Sequence, residues 1–220
     1  MAVVIILAKA PLAGLVKTRL SPPLSLTAAA GLAAAALQDT IVAARQATRP
    51  IAVVVVFEGD PSPWIPADLP TIPQCSGGLD VRLADAFDRV HADHGAPMVL
   101  IAMDTPQVTP TMIDDAIALL EADDCDAVIG PAEDGGYWLI GLRPLRVSTD
   151  ETTYAPLFHG VPMSTDETGA AQRARLEAMG WRVRTTNSLR DIDHFFDVEA
   201  VASEHPHLAM SAYWRNPSAP

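Results

Sequence analysis

A chain of 220 residues that is 49% hydrophobic is sized for one substantial α/β domain with a well-filled core. Its formal net charge of -12, with no basic stripe, excludes the electrostatic footprint of a nucleic-acid binder or a membrane-surface protein, so an anionic ligand must be small and locally held. Cys75 and Cys125 belong to no C-x-x-C pair or Cys/His cluster, which argues against a structural zinc and for two buried thiols in a reducing compartment.

Residues 3–7 form a continuous apolar, β-branched run with the length of a strand buried on both faces, and the run breaks at Lys9 into a Pro/Gly loop. No basic n-region and cleavage site precede it, so a cytoplasmic protein is expected. The Ala-rich residues 27–47 include Gln38, Asp39 and Arg45 and read as a soluble helix rather than a membrane span, with Leu32, Leu37, Ile41 and Ala44 at helical spacing. Residues 51–57 repeat the buried-strand pattern, and a short strand is expected near Thr71 and Ile72. Leu79, Leu83, Phe87 and Val90 mark a second helix, and residues 98–102 a third buried strand.

Thr109-Pro110 sets the start of the next helix, Thr as N-cap and Pro at the first helical position, with an end near Asp123. Residues 127–129 and 137–142 read as strands around a loop at 130–136. Ser164-x-x-Glu167 reads as a capping box for a helix that reaches Gly180, residues 181–185 as the last strand, and the chain after Asp193 as a final helix. This alternation predicts an α/β fold with a mainly parallel twisted sheet covered by helices on both faces. One domain is expected over residues 1–204, with 205–220 a loosely held tail.

Four clusters follow strands, where open α/β sheets bind ligands. Lys9, Lys17 and Arg19 crowd one loop, and no acidic residue occurs before Asp39. That loop is neither a Walker A loop nor, with its single Gly14, a G-x-G-x-x-G fingerprint; by charge it is either a phosphate cradle or a solvated basic loop. Asp104 ends a hydrophobic strand before Thr105-Pro106, as a turn former or as the carboxylate anchor of a hard divalent cation. Glu133-Asp134-Gly135-Gly136-Tyr137-Trp138 carries a hairpin signal, and its acids and glycines equally suit a ligand's hydroxyls or a metal. Asp193, in Arg190-Asp191-Ile192-Asp193, is either the N-cap of the final helix or a second metal carboxylate. The six scattered histidines have no partner at motif spacing.

Taken together, A-K-A-P-x-x-G-x-V-K-T-R-L at residues 8–20, D-x-P at 104–106 and G-P-A-E-D-G-G-Y-W-L-I-G-L at 130–142 resemble the bacterial radical-SAM/selenodomain-associated transferase 1 family. That family is a glycosyltransferase-A-like branch of the nucleotide-diphospho-sugar transferase superfamily, and the resemblance runs from Val3 to about Ala200. It implies a Rossmann-like glycosyltransferase-A sheet, with Lys9, Gly14, Lys17, Thr18 and Arg19 binding the phosphates of a nucleotide. It further implies Mg²⁺ or Mn²⁺ on Asp104 and Asp193, and Gly135, Gly136 and Tyr137 toward the sugar or acceptor. Asp104, Asp134 and Glu133 are the catalytic candidates, either of the last two as general base for an inverting transfer.

This chain departs from the family where S-D-x-P-D-L has become Met103-Asp104-Thr105-Pro106-Gln107 and where W-S-T has become Met163-Ser164-Thr165. The expected activity is metal-dependent transfer from a nucleotide-diphospho-sugar to a small-molecule acceptor, with no nucleic-acid or membrane partner and a homodimer left open. K-T-R-L and D-G-G are also similar to 2-phospho-lactate guanylyltransferases, which makes a pyrophosphate-releasing nucleotidyltransferase the alternative. A non-catalytic nucleotide-binding protein is the third.

Overall fold

The computed structural model describes residues 2–145 and 153–217. Fourteen named elements follow one another as β1 (Ala2–Lys9), α1 (Leu26–Gln46), β2 (Pro50–Glu58), β3 (Thr71–Pro73), α2 (Leu79–His94), β4 (Met98–Ala102) and α3 (Pro110–Glu121), then β5 (Ala127–Pro131), β6 (Tyr137–Leu142), α4 (Ala155–Phe158), α5 (Thr168–Ala178), β7 (Val183–Thr185), α6 (Phe195–Glu204) and α7 (Ala209–Arg215). The strands form one sheet in the order β3-β2-β1-β4-β6-β5-β7, in which β6 alone runs antiparallel to its neighbours. The expected mainly parallel α/β sheet is therefore present, and the hairpin signal at Asp134-Gly135 corresponds to the β5–β6 turn.

The apolar runs of β1 and β4 are continuous because both faces of these central strands are covered. Val4 and Ile6 face α1 and α3, in one core with Leu37, Ile41, Ile113 and Ile117. Val3 and Ile5 face the other way, onto Phe87, Val90, Phe158 and Leu176 from α2, α4 and α5. By length and composition α1 could cross a membrane. Here its apolar character serves two buried sides: Ala33, Leu37 and Ile41 lie on the sheet, while Ala29, Leu32 and Ala36 meet Val198, Val201 and Met210 of α6 and α7.

That last contact corrects one expectation. Residues 205–217 are not a loose tail: α7 packs along α1, Met210 is fully buried, and the Asp39 carboxylate of α1 accepts the free N–H groups of Ala209 and Met210 at 2.8 and 2.9 Å. A carboxylate there satisfies two orphan donors at the helix start. Residues 218–220 of the expected tail lie outside the described residues.

A second correction concerns α5, which begins at Thr168 rather than behind a Ser164–Glu167 capping box. Ser164 has φ 60, and the turn is closed by Thr165 N donating to Thr168 Oγ1 at 3.0 Å. At α3 the Thr109 cap and Pro110 start are present as expected.

If α7 is integral to the fold, Met210→Ala removes a fully buried side chain, and the cost should be about 2–5 kcal/mol. Urea unfolding reads this as a lower midpoint at unchanged slope. A loss within about 0.5 kcal/mol would mean that the tail is only loosely docked.

Candidate functional site at the carboxyl ends of β1 and β4

Strand order reverses at β1: the chain leaves it toward β2 on one side and returns through β4 on the other. Ligand crevices of open α/β sheets lie at such switch points. A cleft of about 570 Å³ opens there, bounded by the end of β1 and its loop, the end of β4, the β5–β6 turn, residues 163–168 and the segment after β7.

The loop after β1 carries the cations. Its backbone turns at Gly14, whose φ of +81 suits glycine, and ends in a 3-10 turn, Thr18–Leu20, anchored by the fully buried Leu20. Lys17 precedes that turn in the left-handed region, φ 47 and ψ 35, an uncommon conformation for a residue with a side chain. Only Lys17 and Ser164 are non-glycine residues with positive φ among the described residues, and both line the cleft. Strained backbone of this kind concentrates at functional sites.

From that position the Lys17 ammonium reaches inward, with its side chain 6% exposed, and lies 2.8 Å from Asp104 Oδ1 and 2.8 Å from Asp193 Oδ1. Arg19 Nη1 takes the other oxygen of Asp193 at 2.9 Å. Burial by itself would depress the Lys17 pKa, but the two carboxylates outweigh it and hold the value above the ordinary lysine range. Asp193 shows the converse: burial pushes its pKa up, and Lys17 with Arg19 pulls it below the usual carboxylate value. Lys9 ends β1 exposed in the cleft, with no ion-pair partner among the described residues.

Asp193 is thus a cleft residue rather than a helix cap. The N-cap of α6 is His194, in a reciprocal capping box with Asp197. Two contacts set the Asp193 segment against β4: Ile192 N donates to the Asp104 carbonyl at 3.0 Å, and the buried Gln107 side chain donates to the Arg190 carbonyl. This accounts for Gln107 where the resembled family carries an acid. A carboxylate would face the Arg190 carbonyl with no proton to give, whereas the amide has one.

The sequence candidates divide between cleft and surroundings. Lys9, Lys17, Thr18, Arg19, Asp104, Asp134, Gly136, Tyr137 and Asp193 line the cleft. Gly14, Glu133 and Gly135 are placed elsewhere, which corrects their expected roles. Gly14 turns the loop with its positive φ, and Glu133 turns to Arg190, 2.8 Å away. Gly135 is required by packing: a Cβ there would lie 2.0 Å from the Asp166 carbonyl oxygen, and its own carbonyl accepts Gly169 N at 2.8 Å.

Asp191 is the residue that sequence reasoning passed over. It lines the cleft beside Asp193, and its pKa is pushed up to about 6, first by burial and then by the negative charges of Asp134 and Asp193. The only sequence signal was its place two residues before Asp193, across a turn in which Asp193 N donates to the Asp191 carbonyl at 3.1 Å. Gln74 and Arg82 also line the cleft, joined at 3.0 Å, with Gln74 Nε2 on the Ala8 carbonyl at 2.7 Å. Thr105 and Tyr137 line it as well, and their hydroxyl oxygens are buried without a hydrogen-bond partner among the described residues.

A hard divalent cation needs only one or two protein carboxylates when phosphate oxygens and water complete its shell. Among the described residues no three His, Cys, Asp or Glu side chains converge to hold a metal alone. Asp104 and Asp193 already share one cation, the Lys17 ammonium, so this oxygen pair accepts positive charge and fits a phosphate-bridged metal.

Residues 28–165 match the family described as "Uncharacterized protein conserved in bacteria (DUF2064)". The chain belongs to the DUF2064 family. No curated protein matches by sequence. Among solved structures, a protein from Desulfovibrio desulfuricans G20 assigned as a nucleotide-diphospho-sugar transferase superposes with TM-score 0.85 at 22% identity, over 97% of this chain and 94% of that one. A CMP:2-keto-3-deoxy-manno-octonic acid synthetase complexed with CTP superposes at 0.58 and 13% identity, over 93% and 98%. Rv0371c of Mycobacterium tuberculosis H37Rv in complex with manganese does so at 0.50 and 18% identity, over 90% and 97%. At these identities the similarity establishes for the DUF2064 chain a shared fold.

Between the ordinary aspartate value and about 6, native Asp191 holds a proton that the unfolded chain has released, so this residue makes stability fall as pH rises through that window. Asp191→Asn removes the titration. The variant should melt above the wild type at pH 7.5, and the gap should close toward pH 4; a constant gap, or none, contradicts the environment described.

Proposed function

We propose that this protein is a transferase acting on a nucleotide diphosphate, most specifically a metal-dependent enzyme of the radical-SAM/selenodomain-associated transferase 1 type that moves a sugar from a nucleotide-diphospho-sugar to a small acceptor. One observation carries the reading: at the β1/β4 switch point, Lys9, Lys17 and Arg19 face one cleft with Asp104 and Asp193. An acidic protein that gathers its N-terminal cations around strand-end carboxylates has the parts for a metal-bridged diphosphate.

The residues divide the work. Lys9 and Arg19 meet the phosphates, and Thr18 borders them from the 3-10 turn. Asp104 and Asp193 would hold Mg²⁺ or Mn²⁺, which when bound neutralises charge developing on a leaving diphosphate. Thr105 Oγ1 and Tyr137 Oη, polar atoms buried without a protein partner, suit hydroxyls of a sugar or acceptor. For an inverting transfer, Asp191 beside Asp134 has the proton affinity of a base that works near neutral pH, with its pKa at about 6. Glu133 is held by Arg190 and takes no part.

The second reading is nucleotidyl transfer with release of pyrophosphate, favoured by the structural similarity to a CTP-bound synthetase. Both reactions place cations around a diphosphate, and pyrophosphate release from GTP or CTP identifies the second.

A thermal-shift panel of nucleotides and nucleotide-sugars with Mg²⁺ or Mn²⁺ tests the proposal. A ligand at a hundred times its dissociation constant adds about 2.7 kcal/mol to the folded state. Asp104→Ala should abolish the metal-dependent part of that shift while leaving the ligand-free fold largely intact, since the side chain is 42% exposed at a strand end. Unchanged nucleotide binding in this variant would overturn the assignment.

A further inference from the structure

We infer that Lys17 is an internal counter-ion that keeps divalent metal off Asp104 and Asp193 until a phosphate group draws the ammonium away. This deepens the function proposed above and rests on it only in naming phosphate as the displacing group; that the ammonium excludes metal from the ligand-free protein follows from geometry.

The lysine bridges two carboxylates from remote parts of the chain, each at 2.8 Å, and its side chain is almost wholly buried. With Arg19 on its second oxygen, each Asp193 oxygen already faces a cation, so a metal approaching this carboxylate meets positive charge on both sides. No three metal-ligating side chains converge among the described residues, so protein ligands alone compete poorly against the ammonium.

A lysine suits such an exchange. Its ammonium is a point charge on a flexible four-carbon stem with freely rotating donors, whereas a guanidinium would lock into a carboxylate fork. Lys17 itself lines the cleft, so a diphosphate lying against Lys9 and Arg19 is within the same space. Drawing Lys17 onto phosphate frees Asp104 and one oxygen of Asp193 as the phosphate supplies the remaining oxygen ligands. Metal and nucleotide then bind with positive coupling, each tighter in the presence of the other.

The test offers MnCl₂ alone, without nucleotide, to the full-length chain and to Lys17→Met, reading free Mn²⁺ by electron paramagnetic resonance and the melting temperature in parallel. The wild type should leave Mn²⁺ free and its melting temperature unmoved. Lys17→Met, which keeps length but not charge, should bind Mn²⁺ at least about tenfold more tightly and melt higher with it, since a competing buried ion pair has been removed. Adding Asp104→Asn to Lys17→Met should cancel both effects, which places the metal at this carboxylate. Lys17→Gln carries the same comparison if the methionine variant does not fold.

Equal Mn²⁺ binding by wild type and variant, or none by either lysine variant, overturns the inference. A nucleotide screen that finds no ligand would defeat the proposed function while leaving this result standing. Metal-dependent nucleotide binding with no gain in Lys17→Met would do the reverse.

Discussion

The contact on which the rest of the cleft depends is the Lys17 ammonium between the carboxylates of Asp104 and Asp193. It joins three stretches that are far apart in the chain: the loop after β1, the end of β4 and the segment after β7. Without a cation between them, two aspartates brought together at a half-buried position would repel, and one would have to take up a proton. Backbone contacts complete the assembly, through Ile192 to the Asp104 carbonyl and Gln107 to the Arg190 carbonyl. The ion pair and these hydrogen bonds together hold the segment after β7 against the ends of the central strands.

The same arrangement concentrates unfavourable terms at the site. Lys17 and Ser164 adopt left-handed backbone on different borders of the cleft, Asp191 holds its proton more tightly because it is buried and then because Asp134 and Asp193 are near, and two hydroxyls are buried without protein partners among the described residues. Each feature works against the ligand-free fold, and the two thick apolar layers on either side of the sheet supply the stability that tolerates them. A ligand that brings phosphate oxygens, hydroxyls and positive charge would relieve several of these terms at once. That is the physical reason to read the strain as function.

The fold was legible because its signals are local. Continuous Val/Ile runs identify β1, β2 and β4, Thr109-Pro110 starts α3, and Asp134-Gly135 turns the β5–β6 hairpin. What the sequence concealed depends on tertiary contact. The Ser164–Glu167 pattern has the letters of a capping box, but the turn there packs against Gly135 and Gly136, and the helix starts later. The tail looked loose because its last residues are polar and Pro-rich, whereas its apolar side is matched by a second face of α1 that no periodicity argument assigns to a distant partner.

The site was legible in its charges and less so in their directions. Lys9, Lys17, Arg19 and Asp104 stand where strand ends put them, and Asp193, marked by its place after the last strand, lines the same cleft. Glu133 and Asp134 are adjacent and chemically alike, yet one turns out to Arg190 and the other into the cleft. Asp193 was the expected cap of the final helix, and the structure gives that place to His194 instead. Asp191 needed the environment itself, because a raised pKa arises from neighbours that converge only in three dimensions.

The most direct measurement of the central claim is a crystal structure with a nucleoside diphosphate and Mn²⁺, with the metal located by anomalous scattering. The metal should lie within about 2.0–2.2 Å of an Asp104 carboxylate oxygen, an ordinary ligand distance for a small hard cation, with Lys9 and Arg19 on the diphosphate and Lys17 moved onto a phosphate oxygen. A diphosphate bound outside this cleft, or a metal away from Asp104 with Lys17 still between the two aspartates, would contradict the account.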